Sequence, residues 1–394
     1  MARRPFIVPL VAAVVAATAA GCTSSGAPGP TGAAASARSA VGFTDQLCGR
    51  GGTLAKPGYP NTVPKLPGGA SRLSGAGSTF VTPIMTAWAR KYAQEAGVQV
   101  DYQSVGSGAG VQQTIAKTVD FGASDTPMKD DELARAKDPV LHVPLVLGAV
   151  APAYRLDGIP SGLKFDGPTL GRIFAGEITH WNDPALVDLN PQADLPSTPI
   201  TVVHRSDGSG TTAVWTDYLT KTSPEWVAKI GEGKSAAKDI AWPVGTGGKG
   251  NDGVAEQVKQ TEGAIGYVEL ATVLDQHLGY GQVKNAHGRF VQPCTETITA
   301  GVALQPLPAD LRTSLTNGPD QDAYPVTGTT YALLPQNQKD PATAAALVDF
   351  IAWVLSTGQD DAADLHYAPL GRSLQAQSAA KLKTLTVAGT PLFP

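Results

Sequence analysis

Four short runs of glycine and hydroxyl residues recur in the sequence, each placed before a segment of helical composition. They occupy residues 75–80, 106–110, 206–211 and 245–252. The first backbone N–H groups of a helix have no acceptor within the helix, and the helix dipole adds partial positive charge beside them. Glycine lets an anion approach such amides closely, while Ser and Thr add hydroxyl donors. Because several such runs occur in one chain, we expect a dry anion site assembled from several helix N-termini.

Arg205 stands directly before the third run and adds a cation to the predicted site. The whole chain is slightly acidic, with 30 Lys and Arg against 34 Asp and Glu and a net charge of -4. Local dipoles act at contact distance, whereas the net charge mainly affects approach, so an acidic protein can still hold an anion. The same charge balance argues against a nucleic-acid partner, which would favour a basic surplus.

The motifs of serine hydrolases, zinc peptidases and P-loop nucleotide sites are absent from the sequence. Neither G-x-S-x-G nor H-E-x-x-H occurs, and the six His residues show no metal-ligand spacing. The glycines before Lys249 lack the P-loop spacing, because Pro243 stands where the first Gly is required. We therefore expect no enzyme activity, no cofactor and no metal, and we expect His204 to be a loop or surface residue rather than a base.

The elements that must position these runs alternate between strands and helices. Apolar and polar residues alternate over 98–103, which predicts a strand before the second run, and 200–203 is a short apolar segment before the third. Apolar residues four apart predict a helix ending near Ala96, with Pro83 in its first turn. Strands alternating with helices predict an α/β architecture with mostly parallel strands. Further helices are predicted over 111–119, 212–219 and 254–258, and after Asp340.

The N-terminus predicts export from the cytoplasm. The length of 394 residues and an apolar fraction of 42% indicate two to three domains with a sizeable core. Residues 1–21 combine a basic head, a short apolar stretch and small residues before Cys22. This pattern resembles a bacterial lipoprotein signal, in which Cys22 becomes the lipidated N-terminus that anchors the mature chain to the cell membrane. Ordinary secretion is the alternative, and Arg3-Arg4 leaves twin-arginine export open.

Residues 22–40 are expected to form the lipid anchor and a flexible tether, because the segment is almost entirely Ala, Gly, Ser, Thr and Pro. The other two cysteines are Cys48 and Cys294. In an oxidising compartment a remaining pair suggests one disulfide, which would join the N-terminal extension at 41–70 to the body. Two separate thiols are the alternative, and the role of 41–70 is not assigned.

Over about 71–394 the sequence resembles the phosphate-binding proteins of the bacterial phosphate-specific ABC importer, a family of extracytoplasmic solute-binding proteins. The resemblance departs at Ala109 and His204. The matching stretches, in order, are Gly75–Phe80, Gly106–Gly108, Val119–Asp125, Arg205–Thr211, Gly247–Gly253, Gly263–Val268 and Tyr324–Thr327.

The resemblance implies a type II periplasmic-binding-protein fold, an α/β architecture of two lobes joined by two hinge crossovers. Lobe one would comprise 71–146 and 323–394, and lobe two would comprise 147–322. Inorganic phosphate would lie in the cleft between them, and the permease subunits of the importer would be the membrane partner.

The family's ligand contacts carry over to named positions in this chain. Asp125 would be the hydrogen-bond acceptor, Arg205 the guanidinium on the anion, and Asp207 the partner that orients Arg205. The full set of implied phosphate-binding residues is Thr79, Phe80, Ser107, Asp125, Arg205, Ser209, Gly210 and Thr211.

A carboxylate in an anion site has a physical explanation if the ligand carries a proton. Asp125 can accept a hydrogen bond from the OH of phosphate, whereas fully ionised sulfate offers no proton and leaves the carboxylate unpaired. Two other functions are weighed against a phosphate receptor. A secreted phosphatase-like hydrolase could use Arg205 and the helix amides to stabilise a phosphoryl transition state, and a receptor could take another oxyanion.

Overall fold

The computed structural model describes residues 42–43, 47–48 and 56–393. The predictions of an export signal over 1–21, a lipidated Cys22 and a tether up to residue 40 lie outside the described residues. Within the described part of the chain, no helix has both the length and the apolar character that crossing a membrane requires.

The helices in the described residues are α1 (Thr82–Ala96), α2 (Ser107–Ala116), α3 (Asp130–Arg135), α4 (Gly167–Phe174), α5 (Pro184–Leu189), α6 (Gly210–Thr222), α7 (Pro224–Ile230), α8 (Gly250–Gln260), α9 (Leu270–Asp275), α10 (Thr295–Ala300), α11 (Pro341–Val354) and α12 (Arg372–Leu382). Two short 3-10 helices follow α11, at Thr357–Asp361 and Ala363–Leu365.

The strands are β1 (Arg72–Gly77), β2 (Gln99–Ser104), β3 (Phe121–Ser124), β4 (Val140–Tyr154), β5 (Lys164–Phe165), β6 (Thr201–Arg205), β7 (Thr246–Gly248), β8 (Ala264–Glu269), β9 (Gly279–Tyr280), β10 (Gln282–Lys284), β11 (Phe290–Val291), β12 (Thr327–Pro335), β13 (Asn337–Gln338), β14 (Thr386–Val387) and β15 (Thr390–Pro391).

The main sheet has nine strands in the order β2-β1-β3-β12-β4-β8-β6-β7, with β9 paired to β4. At one end β2, β1 and β3 are parallel, and at the other end β8, β6 and β7 are parallel. The strands between them are antiparallel, because β12 opposes both β3 and β4, and β8 opposes β4. The expected parallel strands are therefore confined to the two ends of the sheet.

Strand β4 belongs to both halves of the sheet. Its 15 residues pair with β12 from Val140 to Ala149 and then with β8 from Val150 to Tyr154. Most of the strand is buried, as expected for a segment covered on both faces. The protein thus has the two-lobed type II α/β fold, with one continuous strand passing between the halves. The lobe boundaries themselves stay predictions.

Local sequence signals placed several helices correctly. Helix α1 begins at Thr82 with Pro83 in its first turn, and Gly97 ends it with a left-handed φ of 72°. The amide of Gly97 donates to Ala93 O at 3.1 Å, which satisfies a terminal carbonyl. Helix α11 follows Asp340, whose carboxylate accepts the amide of Thr343 at 2.7 Å.

The prediction that 106–110 is a loop was wrong, because α2 begins at Ser107. The glycines in its first turn serve close packing rather than flexibility. A Cβ on Gly110 would lie 2.7 Å from both Ala123 O and Gly77 Cα. Any side chain at Gly110 would therefore push α2 away from β1 and β3.

The N-terminal extension contacts two regions of the body. Tyr59 donates its hydroxyl to Leu370 O at 2.5 Å, and the amide of Leu66 donates to Asp349 Oδ1 at 3.3 Å. Nearer the N-terminus, Cys48 is disulfide-bonded to Cys294 with a Cα–Cα distance of 5.9 Å. This bond joins the extension covalently to the body across 246 positions of sequence.

We expect the double substitution Cys48→Ser and Cys294→Ser to lower the free energy of unfolding by about 2–4 kcal/mol, because the disulfide restricts the unfolded chain over a long loop. Urea denaturation of the two proteins, each with and without reductant, measures the difference. Reductant should destabilise the native protein and leave the double variant unchanged. Equal unfolding midpoints for the oxidised native protein and the variant would contradict a stabilising role.

Candidate functional site

Four helices begin at the carboxyl ends of parallel strands. Helices α1 and α2 follow β1 and β2 in one half of the sheet, and α6 and α8 follow β6 and β7 in the other. In open α/β sheets this edge is where ligands bind. The two halves meet there, since the amide of Gly108 donates to Gly208 O at 2.8 Å. A Cβ on Gly106 would come within 2.3 Å of Asp207 Oδ2, so the second and third runs are in close contact.

Asp125 lies directly after β3 and is only 3% exposed. Its Oδ1 accepts hydrogen bonds from Ser78 Oγ at 2.5 Å and Thr330 Oγ1 at 2.7 Å, and its Oδ2 accepts one from Ser107 Oγ at 3.2 Å. An ionised carboxylate offers about four acceptor positions. Three are filled by these hydroxyls, which leaves one on Oδ2 for another donor.

Burial raises the pKa of Asp125 above its ordinary value, because removal from water disfavours the charged form. The hydroxyls of Ser78, Thr330 and Ser107 oppose this effect, and so does the positive charge of Arg205. The carboxylate is also enclosed by backbone, since a Cβ on Gly210 would lie 2.5 Å from Asp125 Oδ2. The first turn of α6 therefore lies directly against the acceptor.

Arg205 ends β6 and is held by a bidentate ion pair. Its Nε donates to Asp207 Oδ1 at 2.8 Å and its Nη2 to Asp207 Oδ2 at 2.5 Å, while its Nη1 donates to Thr211 Oγ1 at 3.3 Å. Burial alone would raise the pKa of Asp207. The hydrogen bonds and positive charge of Arg205 and the hydrogen bond from the Gly250 amide outweigh this effect, so the pKa of Asp207 lies below its ordinary value. The guanidinium is thus fixed in place, and two of its five N–H groups are still available.

The start of α6 supplies backbone and hydroxyl donors. Ser209 is the N-cap, and its Oγ accepts the amide of Thr212 at 3.0 Å. Gly210 and Thr211 occupy the first turn, so their amides have no acceptor within the helix. Both residues are buried beside Asp125 and Arg205.

The first run reaches across the cleft to α8. Thr79 Oγ1 accepts the backbone amide of Asn251 at 3.2 Å and its Nδ2 at 2.9 Å. The amide of Phe80, expected to face the ligand, instead donates to Ser78 Oγ at 3.0 Å. The structure brings the sequence-predicted site residues from both halves of the sheet into a single cluster, although the Phe80 amide and the Ser107 hydroxyl are engaged within the protein.

Sequence reasoning missed three residues of this cluster. Ser78 and Asn251 stand inside the glycine-rich runs, where their neighbours were chosen instead. Thr330 comes from β12, 205 positions after Asp125, and no local pattern marks it. His204 lies in strand β6 rather than in the expected loop. Its ring stacks on that of Trp242, with 5.0 Å between the ring centroids.

The cluster offers hydroxyl, amide and guanidinium donors around one carboxylate acceptor. Such a set is suited to holding a partly protonated oxyanion. Among the described residues, the one group of potential metal ligands comprises Cys48, Cys294 and Glu296, and its two sulfurs are joined in the disulfide. A metal would need a free thiolate there.

Comparison with known proteins places the chain in a family. A family model described as a PBP superfamily domain matches residues 55–357. The phosphate-binding protein PstS of Xylella fastidiosa strain Temecula1 is 43% identical over 309 residues, which cover 78% of this chain and 83% of that protein. PstS of Pasteurella multocida is 42% identical over 318 residues, covering 80% of this chain and 91% of that protein.

Solved structures show the same fold at low sequence identity. The high-affinity periplasmic phosphate-binding protein PfluDING, solved with phosphate, aligns with a TM-score of 0.64 and 19% identity over 78% of this chain and 93% of its own. The phosphate-binding protein of Stenotrophomonas maltophilia aligns with a TM-score of 0.59 and 18% identity, over 79% of this chain and 94% of its own. With a fold of this type and relatives above 40% identity over most of their length, the chain belongs to the PstS family of phosphate-binding proteins within the PBP superfamily.

Proposed function

We propose that this protein is an extracytoplasmic receptor that binds inorganic phosphate and delivers it to the permease of an ABC-type importer, without chemical turnover. The observation that carries the proposal is the single acceptor position left on Asp125 in the midst of hydroxyl, amide and guanidinium donors. The names of the PstS relatives support the same ligand. The contacts of Asp125 with Ser78 in one half of the sheet and with Gly210 in the other also support the proposal.

Phosphate at neutral pH fits the distribution of donors and acceptors. Its ionised oxygens accept hydrogen bonds from Arg205 and from the first-turn amides of α2 and α6. Its remaining OH donates to Asp125, which relieves the repulsion expected between a carboxylate and an anion. Sulfate has no such proton, so its oxygen would face the lone pairs of Asp125 in a site with little water.

The proposed ligand set has specific tasks. Ser107, Asp125 and Thr79 come from lobe one, whereas Arg205 and the 209–211 turn come from lobe two. The amide of Phe80 holds Ser78, which in turn donates to Asp125. Asp207 orients Arg205 without touching the ligand. We place lobe one at 71–146 and 323–394 and lobe two at 147–322, in line with the exchange of partners along β4. Contacts from both sides would then favour the closed arrangement.

The anchoring of the receptor belongs to the same proposal. Lipid on Cys22 would hold the mature chain at the cell membrane, and the tether up to residue 40 would let the globule reach the permease. A single lipid chain binds membranes only marginally, so stable anchoring would require a multiply acylated N-terminal cysteine.

The proposal predicts stoichiometric binding of phosphate without turnover. Titration calorimetry on the chain from residue 41, stripped of ligand, should show one phosphate bound per molecule at micromolar concentration. A chromogenic phosphomonoester should not be hydrolysed by the same preparation. Absence of binding heat would contradict the receptor, and robust hydrolysis would favour the phosphatase-like alternative.

Asp125→Asn should reduce the preference for phosphate over sulfate by about two orders of magnitude or more, because the amide can donate to sulfate and no longer requires a ligand proton. Calorimetry with both anions measures the ratio. Asp120→Asn is the matched control, since Asp120 precedes β3 at its opposite end and hydrogen-bonds to Ser74. Unchanged selectivity in Asp125→Asn would exclude the role assigned to this carboxylate.

The raised pKa of Asp125 predicts a loss of selectivity on acidification. Because the ionised form accepts the phosphate OH, the phosphate affinity should fall as the pH decreases through this raised pKa. The protonated form can instead donate to sulfate, so the sulfate affinity should rise. Competition binding between about pH 7 and about pH 4 tests this. Because phosphate itself gains a proton over this range, the Asp125→Asn variant should show a smaller change in the ratio of the two affinities, and an equal change in both proteins would refute the assignment.

A further inference from the structure

Asn251 is a buried residue that links the two sides of the site. It lies in the first turn of α8 and is 1% exposed. Its Nδ2 donates to Thr79 Oγ1 at 2.9 Å and to Thr211 Oγ1 at 3.2 Å, and its backbone amide also donates to Thr79 Oγ1 at 3.2 Å. One side chain therefore contacts two of the proposed ligand hydroxyls, one from each lobe.

The orientation of the Asn251 amide is fixed by its other end. Its Oδ1 accepts the backbone amide of Glu269 at 3.2 Å. Glu269 is itself fully buried and caps α9 through the amides of Ala271 and Thr272. Rotating the Asn251 amide by half a turn would direct its NH₂ group at the Glu269 N–H. The NH₂ group must therefore face Thr79 and Thr211.

The acceptor capacity of both hydroxyls is full. A hydroxyl oxygen has two lone pairs and one hydrogen. Both lone pairs of Thr79 Oγ1 receive N–H groups of Asn251. Those of Thr211 Oγ1 receive Arg205 Nη1 at 3.3 Å and Asn251 Nδ2. Each hydroxyl can then only donate, and within the described residues neither hydroxyl hydrogen has an acceptor.

We infer that Asn251 is a positioning residue that makes the Thr79 and Thr211 hydroxyls donate to the bound anion. The inference rests on the proposed function and specifies which ligand oxygens carry a proton at each position of the site. Ligand oxygens without protons must face Thr79 and Thr211, and the protonated oxygen must face Asp125. Asn251 would thereby fix which way round a hydrogen phosphate ion binds.

Two substitutions of similar volume test the role. Asn251→Leu removes the side-chain donor and frees one lone pair on each hydroxyl, so phosphate should bind about tenfold more weakly, as for loss of one hydrogen bond. Asn251→Asp places an acceptor where the donor was, and it would draw both hydroxyl hydrogens away from the ligand. It is combined with Asp252→Asn, at an exposed neighbouring position, to keep the net charge and the acidic first turn. The Asn251→Asp/Asp252→Asn variant should bind phosphate at least a hundredfold more weakly than the native protein.

A double-mutant cycle separates positioning from a purely structural role. If Asn251 acts through the hydroxyls, Asn251→Leu should weaken phosphate binding only about threefold in a protein in which Thr79→Val has already removed one hydroxyl. Full additivity would mean that Asn251 acts elsewhere, and would overturn the inference. The thermal stability of each ligand-free variant is measured in parallel to identify any that fail to fold.

The outcomes also separate this inference from the receptor function. Native protein that binds no phosphate would overturn both. Native protein that binds phosphate, together with Asn251→Leu and Asn251→Asp/Asp252→Asn variants of native affinity, would overturn the positioning role alone. If Asn251→Leu does not fold, the charge-matched pair still decides, because its shape is nearly unchanged.

Discussion

A buried carboxylate enclosed by hydroxyl donors is the constraint on which the rest of the structure depends. Burial disfavours the charge of Asp125, and an unpaired buried charge would be very costly. Its hydroxyl donors come from three separate places, at the ends of β1 and β2 and in the middle of β12. Only a fold that brings the carboxyl ends of β1 and β2 beside an antiparallel β12 can supply them together. The mixed sheet is therefore part of the site.

The buried guanidinium of Arg205 must also be paired, as the carboxylate of Asp125 is. Arg205 is nearly inaccessible, and its side chain is 1% exposed against 15% for Asp207. The bidentate pair leaves the guanidinium oriented but partly neutralised. Under the proposed function, an anion would therefore not depend on Arg205 alone and would need the helix amides and hydroxyls as well. The glycine-rich runs serve this arrangement in two ways: the third places the first turn of α6 beside Arg205, and the amides of the first and fourth hold Ser78, Asp207 and Thr79 in place.

How much could be predicted from the sequence depends on whether the signal was local. The start of α1 and the cap of α11 follow from Pro83 and Asp340 and were predicted correctly. The start of α2 was placed too late, because glycines in a helix resemble a loop until their packing against β1 is known. The resemblance to a known family named Asp125 as the ligand's acceptor, which stays a prediction, and the structure shows its carboxylate bound by three hydroxyls. Thr330 carried no signal, since only the pairing of β12 with β3 brings it near.

The contacts that cross between the halves of the sheet indicate what the ligand must contribute to closure. Lys238 pairs with Glu132 at 3.1 Å, and Arg312 pairs with Asp130 at 2.9 Å. Asp130 is 91% exposed, so its pair stabilises the closed form little. The Lys238 pair is largely buried, and its attraction is offset by loss of hydration. Hydrogen bonds from Gly108 to Gly208 and from Asn251 to Thr79 also join the two halves. Under the proposed function, an anion bound from both sides would add to these contacts and favour closure further. An ion without a proton loses the Asp125 contact and with it much of the free energy that favours the closed form.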